Sequence, residues 1–225
     1  MKASLDTNVI IHFYRAGLQD VLFEFFEEGV FIHEMIRDVE MEHHGQDVLL
    51  QVDADIAAGR IELYTNQKLK DLNIYRVFEG NVNENRHLYG SGDLGEVYAI
   101  SLAQTIGAYA FVTDDIKQGG PYMSLLQFDD EVMPFTFADV LILRYLAGDA
   151  DELQTIENFN TINTASDLNW SFKSQIIKFI KRFYTDPYRD DDVKWMARFE
   201  KSYNIKVKTR LSALRDRLTL TLKKE

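Results

Sequence analysis

The stretch KASLDTNVIIHFY (residues 2–14) decides the fold. A short apolar run ends in the polar cluster Asp6-Thr7-Asn8, and Val9, Ile10, Phe13 and Tyr14 then follow at helical spacing. This reads as a buried strand feeding a helix, with Thr7 or Asn8 as the N-cap. The same alternation continues along the chain. Strands are predicted at 30–32, 60–64, 109–113 and 132–136, and helices at 21–28, 34–44, 47–58, 68–78, 93–106 and 137–146, with Gly107 as a C-cap and a polar loop over 80–92. A further helical stretch follows Asp115 and runs to Leu126. Strands alternating with helices imply an α/β domain over 1–147, a three-layer α/β/α sandwich with a mostly parallel sheet of about five strands.

Residues 148–169 are rich in Asp, Asn and Thr and read as a linker or irregular crossover. Residues 170–225 form an all-helical extension, because Phe172, Ile176, Phe179 and Phe183 keep helical spacing, as do Val193, Met196, Phe199 and Tyr203 and then Val207, Leu211, Leu214 and Leu218. Apolar residues are 46% of the 225, which marks an ordered globular chain. The net charge of −11 hides a division: 170–225 carries 15 basic against 7 acidic residues, net +8, which leaves −19 for the rest. The absence of cysteine excludes disulfides, thiolate zinc sites and a cysteine nucleophile. Asp6 and Asn8 break the first apolar run, so it is no secretory segment, and no run reaches the roughly 20 apolar residues of a bilayer span. The expected location is the cytoplasm.

Ligands of an open parallel sheet bind at the carboxyl ends of its strands, near the point where strand order reverses. Three acidic sites fall at such places: Asp6, the Asp114-Asp115 pair, and the start of the helix that begins at Asp93. One carboxylate at a strand end is ordinarily a helix cap. Several that converge repel one another, and a cation among them stabilises the cluster at neutral pH. Hard oxygen donors point to Mg²⁺ or Mn²⁺, ions that acidify a bound water and stabilise an in-line phosphoryl displacement. The implied reaction is phosphodiester hydrolysis.

LDTNVII (5–11), an acidic residue in the helix after the second strand, GDLGEVYAISLA (92–103) and FVTDD (111–115) together resemble the PIN-domain family of metal-dependent ribonucleases. The resemblance covers 1–147. It implies an acidic Mg²⁺ or Mn²⁺ pocket that cleaves single-stranded RNA, with Asp6, Glu40, Glu96 and Asp115 as catalytic acids. Asp93 and Asp114 stand beside these as further metal ligands, and Asn8 and Thr113 as polar supports. For the second acid Glu40 fits the helix position best, with Asp38 and Glu34 as alternatives. The family includes toxins of bacterial toxin–antitoxin pairs and often dimerises, so an antitoxin-like protein and a homodimer are implied partners, and a membrane is not.

His33 stands where the family has a small hydroxyl residue, and His44 can pair with Glu40 at i,i+4, although His43 and His44 more simply end a helix. His12 and His87 have no constellation around them in sequence. Lys173, Lys178, Lys181 and Arg182 line the polar side of one C-terminal helix, either as a solvated face or as an RNA phosphate clamp. Trp170, Trp195 and Tyr203 are either core or base-stacking. A haloacid-dehalogenase-type phosphatase needs an Asp where Asn8 stands, and neither a G-x-S-x-G elbow nor a phosphate-binding P-loop is present. The reading from a different class is a PIN-like domain without activity that binds RNA or protein.

Overall fold

The computed structural model describes residues 1–89, 94–117, 121–127 and 132–221. The first elements are β1 (Ala3–Leu5), α1 (Thr7–Arg15), α2 (Asp20–Phe25) and β2 (Val30–His33), then a π-helical turn at Ile36–Glu40, α3 (Met41–His44), α4 (Gln46–Ala57) and β3 (Ile61–Tyr64). They continue as α5 (Asn66–Asp71), α6 (Tyr75–Tyr89), α7 (Leu94–Ile106), β4 (Ala110–Val112), α8 (Pro121–Gln127) and β5 (Met133–Phe135). The last are α9 (Phe137–Ala147), α10 (Glu152–Ala165), α11 (Phe172–Ile180), a second π-helical turn at Lys181–Thr185, α12 (Asp190–Tyr203) and α13 (Val207–Thr221). The five strands form one all-parallel sheet in the order β3-β2-β1-β4-β5, with helices flanking it as a three-layer α/β/α arrangement, followed by the C-terminal helices. Among the described residues no helix is long and apolar enough to cross a membrane.

β1 is central, with Ala3 opposite Val30 on one side and Ala110 on the other. Side chains of a strand alternate between faces. Ser4 therefore points at α7, where its hydroxyl donates to the Ala99 carbonyl at 2.8 Å, and Ala3 and Leu5 face the opposite side. Phe31, Tyr64, Leu69, Phe78, Val82, Val97 and Leu102 form one buried cluster under α5, α6 and α7. Each large apolar side chain so buried contributes about 1.5–3 kcal/mol.

The chain divides into two compact units, Met1–Phe137 and Ala138–Glu225. The boundary therefore precedes the expected one at residue 147, and α9 beyond its first residue belongs with the helices. α9 is buried and mostly apolar, with Asp139 and Arg144 its buried charges and Tyr145 Oη 2.8 Å from Glu152 Oε1 and 2.9 Å from the Arg210 carbonyl. The linker expected at 148–169 is mostly the regular helix α10, capped by the Asp151 side chain, which accepts from the Gln154 N–H at 2.8 Å. Ile156, Phe159 and Ile162 are buried along it, and that burial overrides the low helix propensity of its Asn and Thr residues.

The polar loop expected over 80–92 is helical as far as Tyr89, and residues 90–93 lie outside the described ones. Phe78 and Val82 lie buried one turn apart, and Asn85 donates to Ser101 Oγ and Gln104 Oε1 at 2.8 and 2.9 Å, so tertiary partners hold a segment that looks solvated in sequence. The helix expected over 68–78 is two, broken at Asn73 with φ 60°. The N-cap of α1 is Asp6, in extended conformation and without a side-chain capping bond, rather than Thr7 or Asn8.

His33 ends β2, stacked on Phe78 with ring centroids 4.7 Å apart, and its Nδ1 accepts from the Met35 N–H at 3.1 Å. Burial lowers its pKa to about 4. The unfolded chain takes up this proton near pH 6.5 and the folded one does not until about 4, so stability falls as pH drops through that window. His33→Gln is expected to remove about 2 kcal/mol of this acid sensitivity, read as the difference in urea-unfolding free energy between pH 7 and pH 4.5. An unchanged pH profile would show that His33 is not responsible.

Candidate active site

Strand order reverses between β1 and β4, and the crevice at their carboxyl ends is where a parallel sheet places a ligand. Asp6 follows β1 directly, and Thr113, Asp114 and Asp115 follow β4. The ladder continues past both strands: the Asp6 N–H donates to the Val112 carbonyl and the Thr113 N–H to that of Phe135, each at 2.9 Å. Both side chains thus stand on fixed backbone. α7 supplies Glu96 from its first turn.

These residues meet at one atom. Thr113 Oγ1 lies 3.1 Å from Asp6 Oδ2 and 3.1 Å from Glu96 Oε1, and it accepts from the Asp115 N–H at 3.2 Å. Asp6 is 2% exposed and Glu96 1%. A hydroxyl has one proton, so it serves one of the two carboxylates at a time. Two ionised carboxylates this close repel, and the arrangement is stabilised either by a proton held between them or by a cation.

Asp115 stays on the pocket side, where Oδ1 accepts from the Lys117 N–H at 3.0 Å and Oδ2 from the Lys117 ammonium. The same ammonium is 4.0 Å from Glu96 Oε2. Asp114 does not join the pocket. The Asp114 carboxylate accepts from His12 Nδ1 at 2.7 Å and from the Phe137 N–H at 2.8 Å, tying the end of β4 to α1 and to the start of α9. His12, without a constellation in sequence, has its partner here.

The three alternatives for the second acid separate. Glu34 Oε1 accepts from the Asn66 N–H at 3.0 Å, and Asp38 is exposed and paired with Arg37. Glu40 closes the first π-helical turn, a widened geometry frequent at functional sites, and its side chain lies against Gly95. A Cβ at Gly95 would stand 3.2 Å from Glu40 Cγ, 3.3 Å from its carboxyl carbon and 3.5 Å from Thr7 Oγ1. The glycine thus makes room for Glu40 beside Glu96. His44 Nε2 is 3.9 Å from Glu40 Oε2, and His43 and His87 are exposed.

Asn8 is exposed on α1 and does not enter the pocket, whereas Thr7 is buried with its hydroxyl toward Gly95. Asp93 lies outside the described residues. Among the described residues no three histidine or acidic side chains are gathered tightly enough to enclose an ion as they stand. The donor set nevertheless suits a hard cation, since Asp6 and Glu96 present only oxygen, with Glu40 and Asp115 at the margin. Sequence reasoning missed Thr7, Gly95 and Lys117; the only signals were a hydroxyl after the strand-end Asp, a glycine before the helix acid, and a lysine two residues beyond Asp115.

In the helical unit, Lys173, Lys178 and Lys181 are exposed, as a phosphate-binding face requires. Arg182 is buried: its Nε donates to Asp192 Oδ2 at 3.1 Å and its Nη1 is 3.8 Å from Asp139 Oδ2, so it is a structural ion pair and not part of such a face. Trp195 and Tyr203 both pack on Phe199, with centroids 5.3 and 4.6 Å away, and Trp170 is half-buried. Compared with family models, curated proteins and solved structures, the chain matches none.

Gly95→Ala tests the placement of Glu40. Alanine raises helix stability by up to about 1 kcal/mol over glycine, and contact with Glu40 is expected to cancel that gain. In a Glu40→Ala background the gain should return, a coupling measured by a double-mutant cycle of unfolding free energies. Equal effects in both backgrounds would place Glu40 away from α7.

Proposed function

We propose that the protein is a Mg²⁺- or Mn²⁺-dependent ribonuclease that hydrolyses single-stranded RNA in the cytoplasm. The observation that carries this reading is the pair of buried carboxylates, Asp6 and Glu96, set on either side of the Thr113 hydroxyl at the strand-order reversal. The resemblance of LDTNVII, GDLGEVYAISLA and FVTDD to PIN domains supports it further.

Asp6 and Glu96 would hold the ion, with Glu40 and Asp115 completing the acidic rim. Bound there, the ion supplies a water of lowered pKa and neutralises charge on the phosphoryl oxygens. Thr113 keeps the two acids in register, because its hydroxyl reaches both and is itself fixed by the Asp115 N–H. Burial of Asp6 and Glu96 removes competing water from their oxygens, which strengthens their interaction with a cation. An acidic pocket repels a phosphodiester, and the exposed lysines of α11 and the following turn are the groups proposed to supply RNA affinity. As a toxin of a toxin–antitoxin pair, the protein would also bind an antitoxin-like protein and form a homodimer.

A second reading has one observation in its favour. The Lys117 ammonium already contacts Asp115 and approaches Glu96, as the internal cation of a non-catalytic RNA- or protein-binding module would.

Purified protein is expected to cleave a single-stranded RNA with MnCl₂ or MgCl₂, and Asp6→Asn or Glu96→Gln to reduce cleavage by about 10³-fold or more, measured on a labelled oligonucleotide. RNA binding without cleavage under either metal would favour the non-catalytic module. Reversing Lys173, Lys178 and Lys181 to Glu should weaken RNA affinity and lower the slope of log K against log salt by about 2 or more. Unchanged binding would return those lysines to a solvated face.

A further inference from the structure

We propose that Lys117 is the resident counter-ion of the Asp6–Glu96 pocket and thereby sets the pocket's affinity for a divalent cation. The inference rests on reading the pocket as a metal site.

The geometry is local and specific. The Lys117 N–H closes a turn onto Asp115 Oδ1 at 3.0 Å, which brings the side chain of residue 117 back over the carboxylate two positions earlier. Its ammonium contacts Asp115 Oδ2 and stands 4.0 Å from Glu96 Oε2. Glu96 belongs to the buried pair at Thr113, while the Lys117 side chain is 53% exposed, so the ammonium sits on the water side of a buried charge.

An exposed ion pair contributes little, because water screens both partners. Here one of the two anions is buried, and loss of a nearby cation leaves it less compensated. Lysine also suits a contact that must break. Its charge is compact, its four-carbon stem is flexible, and it has no planar fork that fixes bidentate geometry. The exposed stem gives the ammonium a hydrated place to go. A cation that takes Glu96 and Asp115 oxygens must displace it, so affinity for that cation is lowered by what the lysine contributes.

The test is calorimetric titration of the full chain with MnCl₂, with a thermal midpoint measured in EDTA. Lys117→Met is expected to bind Mn²⁺ about tenfold more tightly than wild type, with a lower midpoint in EDTA that Mn²⁺ restores. Lys117→Gln keeps a hydrogen-bond donor without the charge and should behave as the Met variant does, whereas Lys117→Arg should bind as wild type. A merely structural lysine gives the opposite sign, since a loosened Asp115 weakens Mn²⁺ binding. Wild-type protein that binds Mn²⁺, together with neutral variants that bind it equally or more weakly, overturns the counter-ion role alone. Wild-type protein and neutral variants that all fail to bind Mn²⁺ overturn the metal-site reading, and the inference with it.

Discussion

The Thr113 hydroxyl has one proton and two carboxylates within reach, and the carboxyl edge of the sheet is arranged around that shared group. Burying Asp6 and Glu96 together carries a desolvation cost, since removing an anion from water costs several kcal/mol. The surrounding core stabilises the arrangement. β1 lies fully buried between β2 and β4, and Ser4 bonds to α7, so the element carrying Asp6 is locked to the element carrying Glu96. Local electrostatic cost at a site held by a well-packed frame is the pattern expected where an arrangement serves binding rather than stability.

The three polar residues after β4 are divided between two tasks. Thr113 reaches Asp6 and Glu96, and Asp115 holds the Lys117 ammonium near Glu96, while Asp114 is engaged by His12 and the Phe137 N–H. The buried Asp114–His12 pair fixes the end of β4 against α1, and α1 begins immediately after Asp6. The two strand ends that frame the crevice are therefore joined twice, by the ladder bond from Asp6 to Val112 and by this side-chain pair. A second tie of this kind holds the spacing of Asp6 and Thr113 against the repulsion that their neighbours create.

Much of this was legible in the sequence, and what was not has a physical reason. The strand ends at Asp6 and Thr113 follow from short apolar runs that stop at polar residues, a local signal. The acidic helix start at Asp93 is a local signal as well, whereas the choice of Glu96 within it comes only from the resemblance of GDLGEVYAISLA to a known family. Glu40 could be narrowed but not fixed, because a π-helical turn shifts the phase of every later side chain and an α-helical period misplaces them. Asp114 and Asp115 are indistinguishable by composition and separate only once their partners, His12 for one and Lys117 for the other, are in place. The departures at α6 and α10 share one cause, tertiary burial that local composition does not show: Asn85 bonds to Ser101 on α7, and Ile156, Phe159 and Ile162 are buried along α10.

The same logic limits how charge can be read from a sum. The excess of +8 in residues 170–225 counts Arg182 and Arg189 as available cations, yet both donate to the single buried carboxylate of Asp192. A guanidinium engaged in that way has little field left at the surface, and its removal would disturb packing before it changed any phosphate contact. Lys173, Lys178 and Lys181 lie in α11 and the turn after it with their heads in water, so their charge acts outward. In the acidic unit the correction runs the other way, because the Lys117 ammonium offsets charge next to the carboxylates that most need a cation. What each unit can attract therefore depends on which charges its own folding has already paired, and that pairing is a property of the fold and not of the composition.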